Sequence, residues 1–512
     1  MKNKVFSGSV VLFVLIIGLC IFITACGGES AAGTPAGDDR ADNSGNNNSD
    51  APQNDENAGT KTIFYSDGLG DFDFGGYTVR MLTGYGTFGE TKTLDVEEEN
   101  GDTINDAIYR RNREIEERFN VLLTEIGDPS IFNVTNLISR SVRSGDDAYD
   151  MALMIDRDAF NLVCSGNYFY PMDELTHVNL DNPWWDQNAR RMVSIGGKLY
   201  FTYGDESLPY FEYMCLLVFN KDMIQAHGLA NPYELVRNGK WTIDKMYEMA
   251  QAVTADLNGD GIYDDNDRIG IIEMDNYYYP SFWISDNVLF IDKDENDIPF
   301  FNVPGNQKMF AIMDKLYDYA QGNSVFNFFR QKRVKYTEPD HIMATAQMFT
   351  GGDVLFANSS IKMLTDLRSA FVDLGIIPYP KLDEAHPGAA YGARITGAMP
   401  IVVPVTNPDP ERISVILEAF SCGSKNYVIP AYYDIVLKNK AIRDVDSEEM
   451  LDMMYNNRYI DLGDTLYMQA VRDQYTALYT ANKNTFVSTT EKIADSVQKQ
   501  IDKSVATFGN AE

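Results

Sequence analysis

Histidine and cysteine are scarce in this chain. Four histidines (His177, His227, His341 and His386) lie scattered over 512 residues, and no HExxH pair sets two of them on one helix face, which argues against a zinc hydrolase. Five cysteines include no CxxC spacing. Cys164, Cys215 and Cys422 sit in or beside apolar stretches and read as buried small hydrophobes, with one disulfide left open. Basic charge is short as well: 43 Lys and Arg stand against 75 Asp and Glu, for a formal charge of −32. A chain this acidic lacks the basic face that nucleic acid requires, and it would not dock electrostatically on an anionic membrane. Nucleophile elbow, Ser-His-Asp order and phosphate loop are all missing. Apolar residues are plentiful, at 44% hydrophobic and 12% aromatic, enough for large cores.

The amino terminus has a separate organisation. Lys2 and Lys4 precede an uncharged apolar run over 10–23, and Thr24-Ala25 leads into Cys26. These are the three parts of a secretory signal peptide, and the run falls short of the roughly 20 residues a spanning helix needs. Its end resembles a bacterial lipobox, with Ile23 where Leu is commoner. The resemblance implies that 1–25 is removed, that Cys26 is lipidated, and that the protein works at the outer face of the cell membrane. Residues 26–60 are then the lipidated cysteine and a linker of Gly, Ser, Ala, Asn and Asp. Such a composition buries too little surface to fold and reaches about 30–35 Å as a flexible tether.

From residue 61 the pattern alternates between strand and helix. Residues 77–82 read as a core strand, Thr103-Ile104-Asn105-Asp106 as a capping-box-like helix start, and 149–155 as a short apolar run suited to a buried parallel strand. The alternation predicts an α/β fold. NDAIYRRNREIEERFN (105–120), YDMALMIDRDAF (149–160), GNYFYPMDEL (166–175) and GGKLYFTYGDESLPYFEYMCLLVFNKDMIQAHGL (196–229) resemble the extracellular solute-binding proteins of bacterial ABC importers. The match continues through 242–254, 349–380, 391–404 and 409–422, and its layout is closest to the carbohydrate-binding branch that includes maltose-binding protein. The resemblance implies two α/β lobes, each with a mainly parallel sheet flanked by helices, several crossings between them, and a helical carboxyl terminus. Crossings are expected near 205–212, 354–360 and 396–404. One lobe would combine 61–206 with 358–398, the other 207–357 with 399–512.

Three constellations carry the functional expectations. Ligands of open α/β sheets sit beyond the carboxyl ends of strands, which selects Asp156, Arg157 and Asp158, then Asp205 and Glu206, then Asp275 with Tyr277, and Asn358. Aromatic rings suited to sugar faces add Tyr85, Trp184 and Trp283, and Arg394 approaches from a Gly-flanked strand. Each has a bland alternative as core filler, helix cap or hinge contact. The third constellation is Asp256, Asn258, Asp260, the Ile262 carbonyl, Asp264 and Asp267, with Gly261 at the sixth position, a spacing that fits a structural Ca²⁺ loop. The expected role is a monomeric, non-catalytic receptor that passes a small ligand, a sugar or oligosaccharide, to an ABC permease. A module serving a membrane sensor and an exported glycosidase are the competing readings, the latter requiring two carboxylates at a set separation.

Overall fold

The computed structural model describes residues 64–85, 94–264, 266–273, 278–321, 326–328, 347–366, 372–437, 444–481 and 483–510. Cys26, the 26–60 linker and the signal segment lie outside them. In chain order the strands are β1 (Tyr77–Gly84), β2 (Val121–Asp128), β3 (Met151–Leu153), β4 (Cys215–Asn220), β5 (Ile269–Glu273) and β6 (Ile291–Lys293). They continue with β7 (Pro299–Phe301), β8 (Phe326–Phe328), β9 (Val354–Ser360), β10 (Leu374–Ile377), β11 (Ala393–Arg394), β12 (Ile401–Val402) and β13 (Arg458–Tyr459).

Two sheets make the two lobes. The first runs β12-β3-β1-β2 and the second β10-β4-β9-β5-β8. β1 is parallel to both β2 and β3, and β12 closes the edge antiparallel to β3. The second sheet is evenly mixed: β5 is parallel to β8 and β9, whereas β4 is antiparallel to β9 and β10. The expected mainly parallel pairing therefore holds for the first sheet only. Every residue of β4 (CLLVFN) and β9 (VLFANSS) is buried, as strands covered on both faces require.

Helix ends follow local chemistry. The Thr103–Phe119 helix is capped by Asp102, one residue before the expected start, whose carboxylate accepts the N–H groups of Ile104 and Asn105 at 3.1 and 3.0 Å. Asn120 ends it in the left-handed conformation, φ 50°, a role Asn fills better than most residues.

The first crossing is where the sequence places it: the chain leaves the first lobe at Gly204, makes the short Leu208–Glu212 helix and enters β4. The crossing expected at 354–360 is not there. That segment is β9, in the middle of the second sheet, and β10 pairs with β4, Ile377 against Leu217. Residues 374–377 thus belong with the second sheet, and Ile401 and Val402 belong with the first, opposite Leu153 and Ala152, reversing the expected division at 358–398. Strands close in sequence tend to be neighbours in space, and a helix is enough to return the chain from β9 to β10's side of the sheet. The crossing at 396–404 does occur, between β11 and β12. The lobe changes once more after the Ile429–Leu437 helix, which packs on Thr103–Phe119, whereas Val445–Asn456 packs on β10.

Candidate functional site

β3 delivers the chain to the Asp156–Ser165 helix at the carboxyl edge of the first sheet. Asp156, 3% exposed, accepts its neighbour Arg157's backbone N–H at 2.7 Å and the Tyr203 hydroxyl at 3.3 Å. Burial pushes its carboxyl up to about 7, against those hydrogen bonds. Arg157 Nε donates to Asp158 Oδ1 at 2.9 Å, and Thr135 donates its hydroxyl to Asp158 Oδ2 at 3.1 Å. Across from this helix lies the segment 461–472. Asp461 accepts the Phe290 N–H at 2.7 Å, and Asp464 takes the Arg394 guanidinium at 2.5 and 2.8 Å. Arg394 Nη1 lies 4.0 Å from Sγ of Cys215, the residue of β4 that pairs with Ser360 at the end of β9. The segment therefore covers the carboxyl edge of the second sheet.

Between the Asp156–Ser165 helix and the 461–472 segment is a pocket of about 310 Å³. Arg157, Phe160, Asn161 and Cys164 line it from the first lobe. Leu466, Tyr467, Gln469 and Ala470 line it from the second, with Gln500, Lys503 and Ser504 of the long Phe486–Asn510 helix. That helix packs on β7, on Gln307–Gln321 and directly on Asp156–Ser165 of the first lobe. The Phe160 ring meets Tyr467 edge-on at 5.1 Å and Phe508 at 6.0 Å. A cavity lined from two lobes is a common place for such folds to take ligands.

A second pocket, about 270 Å³, lies at the crossings and includes Trp184, Trp185, Asp186, Asp205, Tyr210, Lys425, Tyr455 and Arg458. Its charges pair among themselves. Asp186 meets Arg458 at 2.6 Å and Asp205 meets Lys425 at 3.1 Å. Tyr455 donates to Asp205 at 3.4 Å, and the Arg458 guanidinium stacks 3.8 Å from the Tyr455 ring centroid. Burial raises the Asp205 carboxyl, opposed by Lys425 and Arg458. The Tyr203 and Tyr210 rings, 4.9 Å apart, link Asp156 to this set. Gly204 has no room for a side chain: a Cβ there would lie 2.3 Å from Glu206 Oε2 and 2.4 Å from the Trp184 carbonyl.

The expected ligand contacts thus divide. Arg157 lines the interlobe pocket, with Asp156 and Asp158 directly behind it. Trp184 and Asp205 line the crossing pocket instead, and Glu206 is 1% exposed, its carboxyl raised well above the ordinary range by burial. Tyr85 is engaged with β2, donating its hydroxyl to Glu125 and laying its ring over Gly127. Trp283 has no exposure and packs on Phe290 at 5.0 Å. Asn358 is buried on β9 opposite Leu217, and Arg394 is committed to Asp464. Asp275 and Tyr277 lie outside the described residues. Sequence reading passed over Phe160, Tyr467, Gln500 and Lys503, which meet only through the last crossing, and Arg458 and Lys425 of the second pocket.

The loop between Ile243–Val253 and β5 uses its carboxylates locally. Asp256 accepts the N–H groups of Gly259 and Gly261 at 2.6 and 2.8 Å, and Asp260 accepts that of Ile262 at 2.7 Å. Asn258 accepts from Asp260 N–H at 2.8 Å, Asp264 from Asn266 at 2.9 Å, and Asp267 from Leu257 and Asp264 at 2.8 and 2.9 Å. Among the described residues no three acidic, His or Cys side chains converge in a way that could hold a metal ion. In this conformation the loop's carboxylates are turned to its own backbone N–H groups. The described cysteines are unpaired, with Cys215 and Cys422 buried and Cys164 half-buried. No helix among the described residues is long and apolar enough to cross a membrane.

The raised carboxyl of Asp156 fixes a sign for pH. A carboxyl whose native value lies above its unfolded one favours the fold below the unfolded value, near 3.8, and loses that advantage as pH rises through about 7. Asp156→Asn should therefore gain on the wild type between pH 5 and pH 8, by on the order of a few kcal/mol in urea unfolding. Parallel profiles for the two proteins would refute it.

The model of the bacterial extracellular solute-binding protein family matches residues 136–420. No curated protein matches the chain. Among solved structures, the sugar-binding protein MalE from Xanthomonas citri aligns over 85% of this chain and 99% of its own at 12% identity, TM-score 0.55. The galacto-N-biose/lacto-N-biose I-binding protein of the ABC transporter from Bifidobacterium longum covers 85% and 99% at 13% identity, TM-score 0.52. UgpB from Mycobacterium tuberculosis, solved with glycerophosphocholine, covers 78% and 96% at 16% identity, TM-score 0.51. These likenesses establish the two-lobed fold, and with over half of its length matched by the family model the chain belongs to the bacterial extracellular solute-binding protein family.

Proposed function

We propose that this protein is a lipid-anchored extracellular receptor that captures a saccharide between its lobes and presents the closed form to an ABC permease. The observation that carries the reading is the interlobe pocket, lined by Arg157 and Phe160 on one side and Tyr467 and Lys503 on the other. A ligand that touches both walls favours the closed state by the contacts it adds there. Sugar-binding structures with the same fold support saccharide as the class. No bond is made or broken, and no residue is assigned to catalysis. Isothermal titration against a saccharide panel is the test, read together with tryptophan fluorescence. Trp184 and Trp185 stand at the crossings, so closure should shift their emission without ligand contact. Failure of every saccharide at millimolar concentration, or turnover of one, would overturn the reading.

The anchor rests on Cys26 and its signal-like flank; Cys26→Ala should abolish lipid labelling, and unchanged labelling would refute it. The 256–267 loop is proposed to take Ca²⁺ only by turning Asp260, Asp264 and Asp267 away from their backbone partners. Calcium should then raise the melting temperature by mass action, and Asp260→Ala should remove that response. A melting curve indifferent to Ca²⁺ and chelator eliminates the site.

A further inference from the structure

The lining of the interlobe pocket points to the charge of what it binds, an inference that rests on the receptor reading above. The chain carries a formal charge of −32, with 75 Asp and Glu against 43 Lys and Arg. Among the described residues lining this pocket, none is a carboxylic acid, and two are cations: Arg157 from the first lobe and Lys503 from the second. Arg157 uses Nε on Asp158 at 2.9 Å, and its two terminal nitrogens make no hydrogen bond with described residues. Lys503 forms no ion pair among them. Asp158 offsets part of the Arg157 charge, but its second oxygen is taken by Thr135 at 3.1 Å. Asp502, beside Lys503, accepts from Gln498 at 2.9 Å and does not line the pocket.

The remaining polar lining is neutral. Asn161, Gln469 and Gln500 offer amides, which give and take hydrogen bonds with hydroxyls, and Phe160 and Tyr467 offer ring surface. Sugar hydroxyls both donate and accept, and the strongest acceptors for their O–H groups, carboxylates, do not occur among the described residues of these walls. Guanidinium and ammonium groups can only donate. They match an oxyanion, and Arg binds carboxylate or phosphate through paired N–H groups.

We infer that the ligand is an anionic saccharide, its carboxylate or phosphate held by Arg157 of one lobe and Lys503 of the other. The anion would also screen the two cations from each other as the lobes close, which ties recognition to closure.

The test is titration of the full mature chain with digalacturonate, glucose 6-phosphate and maltotriose at low and high salt. Binding of at least one anionic probe should exceed that of maltotriose by tenfold or more and should weaken with added salt. Arg157→Gln and Lys503→Gln should each lose about tenfold for the anionic probe, the cost of a charge-assisted hydrogen bond, and lose clearly less for maltotriose, which brings no anion to either group. Preference for the uronate identifies a carboxylate, and preference for the phosphate identifies a phosphoryl group. Maltotriose bound as tightly as either anion, or anionic binding untouched in both variants, would overturn the inference while leaving a saccharide receptor standing. Lys503 is exposed, so its variant reports binding even if the Arg157 variant folds poorly. No binding of any of the three probes would count against the receptor reading itself.

Discussion

Arg394→Met should lower the unfolding free energy by about 3–5 kcal/mol, the range for removing one partner of a buried ion pair, and leave binding by the folded protein intact. Arg394 and Asp464 are both without side-chain exposure and meet through two hydrogen bonds, 2.5 and 2.8 Å. Removing the guanidinium leaves Asp464 buried with Arg472 at 3.9 Å as its other ion-pair partner. Desolvating a carboxylate without a close cation is the dominant cost. Replacing both partners by apolar residues, Arg394→Met with Asp464→Leu, should recover part of the loss for the same reason. Urea titration decides it: the midpoint should fall at unchanged slope. A variant within about 1 kcal/mol of the wild type that has lost ligand binding would return Arg394 to the cleft.

The sequence makes some of this architecture plain and leaves other parts hidden, for physical reasons. Continuous apolar strands such as Cys215–Asn220 announce burial on both faces, and the strand ending before Asp156 marks a carboxyl edge. Those local signals sufficed for the α/β fold. Which sheet a strand joins is not a local property. Leu374–Ile377 is apolar enough for either sheet, and only its pairing with β4 assigns it. The same limit applies to the site. Tyr467 and Lys503 reach the pocket because the chain crosses once more after residue 437, and nothing around either residue in sequence marks a ligand wall. Charge is ambiguous for a related reason: Asp205 and Arg394 look free in a sequence, but Lys425 and Asp464, far along the chain, already hold them.

Trp283 sharpens that ambiguity, because an indole after a strand end suits a sugar face and a core equally. Read from sequence, Trp283→Ala weakens binding and spares the lobes. The structure predicts the opposite weighting. All six residues of the Pro280–Ser285 helix are buried, and Trp283 has no exposure. Its ring meets Phe290 at 5.0 Å, and Phe290 stacks in turn on Tyr475 at 5.3 Å. Truncation to Ala would leave a cavity that this helix, buried on every side, cannot close by shifting toward solvent. The expected cost is about 3–5 kcal/mol, as for other large aromatic deletions, visible as a lower urea midpoint and melting temperature. Trp283→Phe should cost less, since it restores much of the volume. Phe290 also gives its N–H to Asp461 at 2.7 Å, five residues before the pocket wall at Leu466, so a loosened core could reach affinity only through that segment. Titration of the folded fraction separates the two roles. If Trp283→Ala keeps its melting temperature and loses tenfold or more in affinity, the ring faces ligand. If stability falls while the remaining folded protein binds as before, Trp283 is part of the second lobe's core and the recognition surface lies with Phe160 and Tyr467.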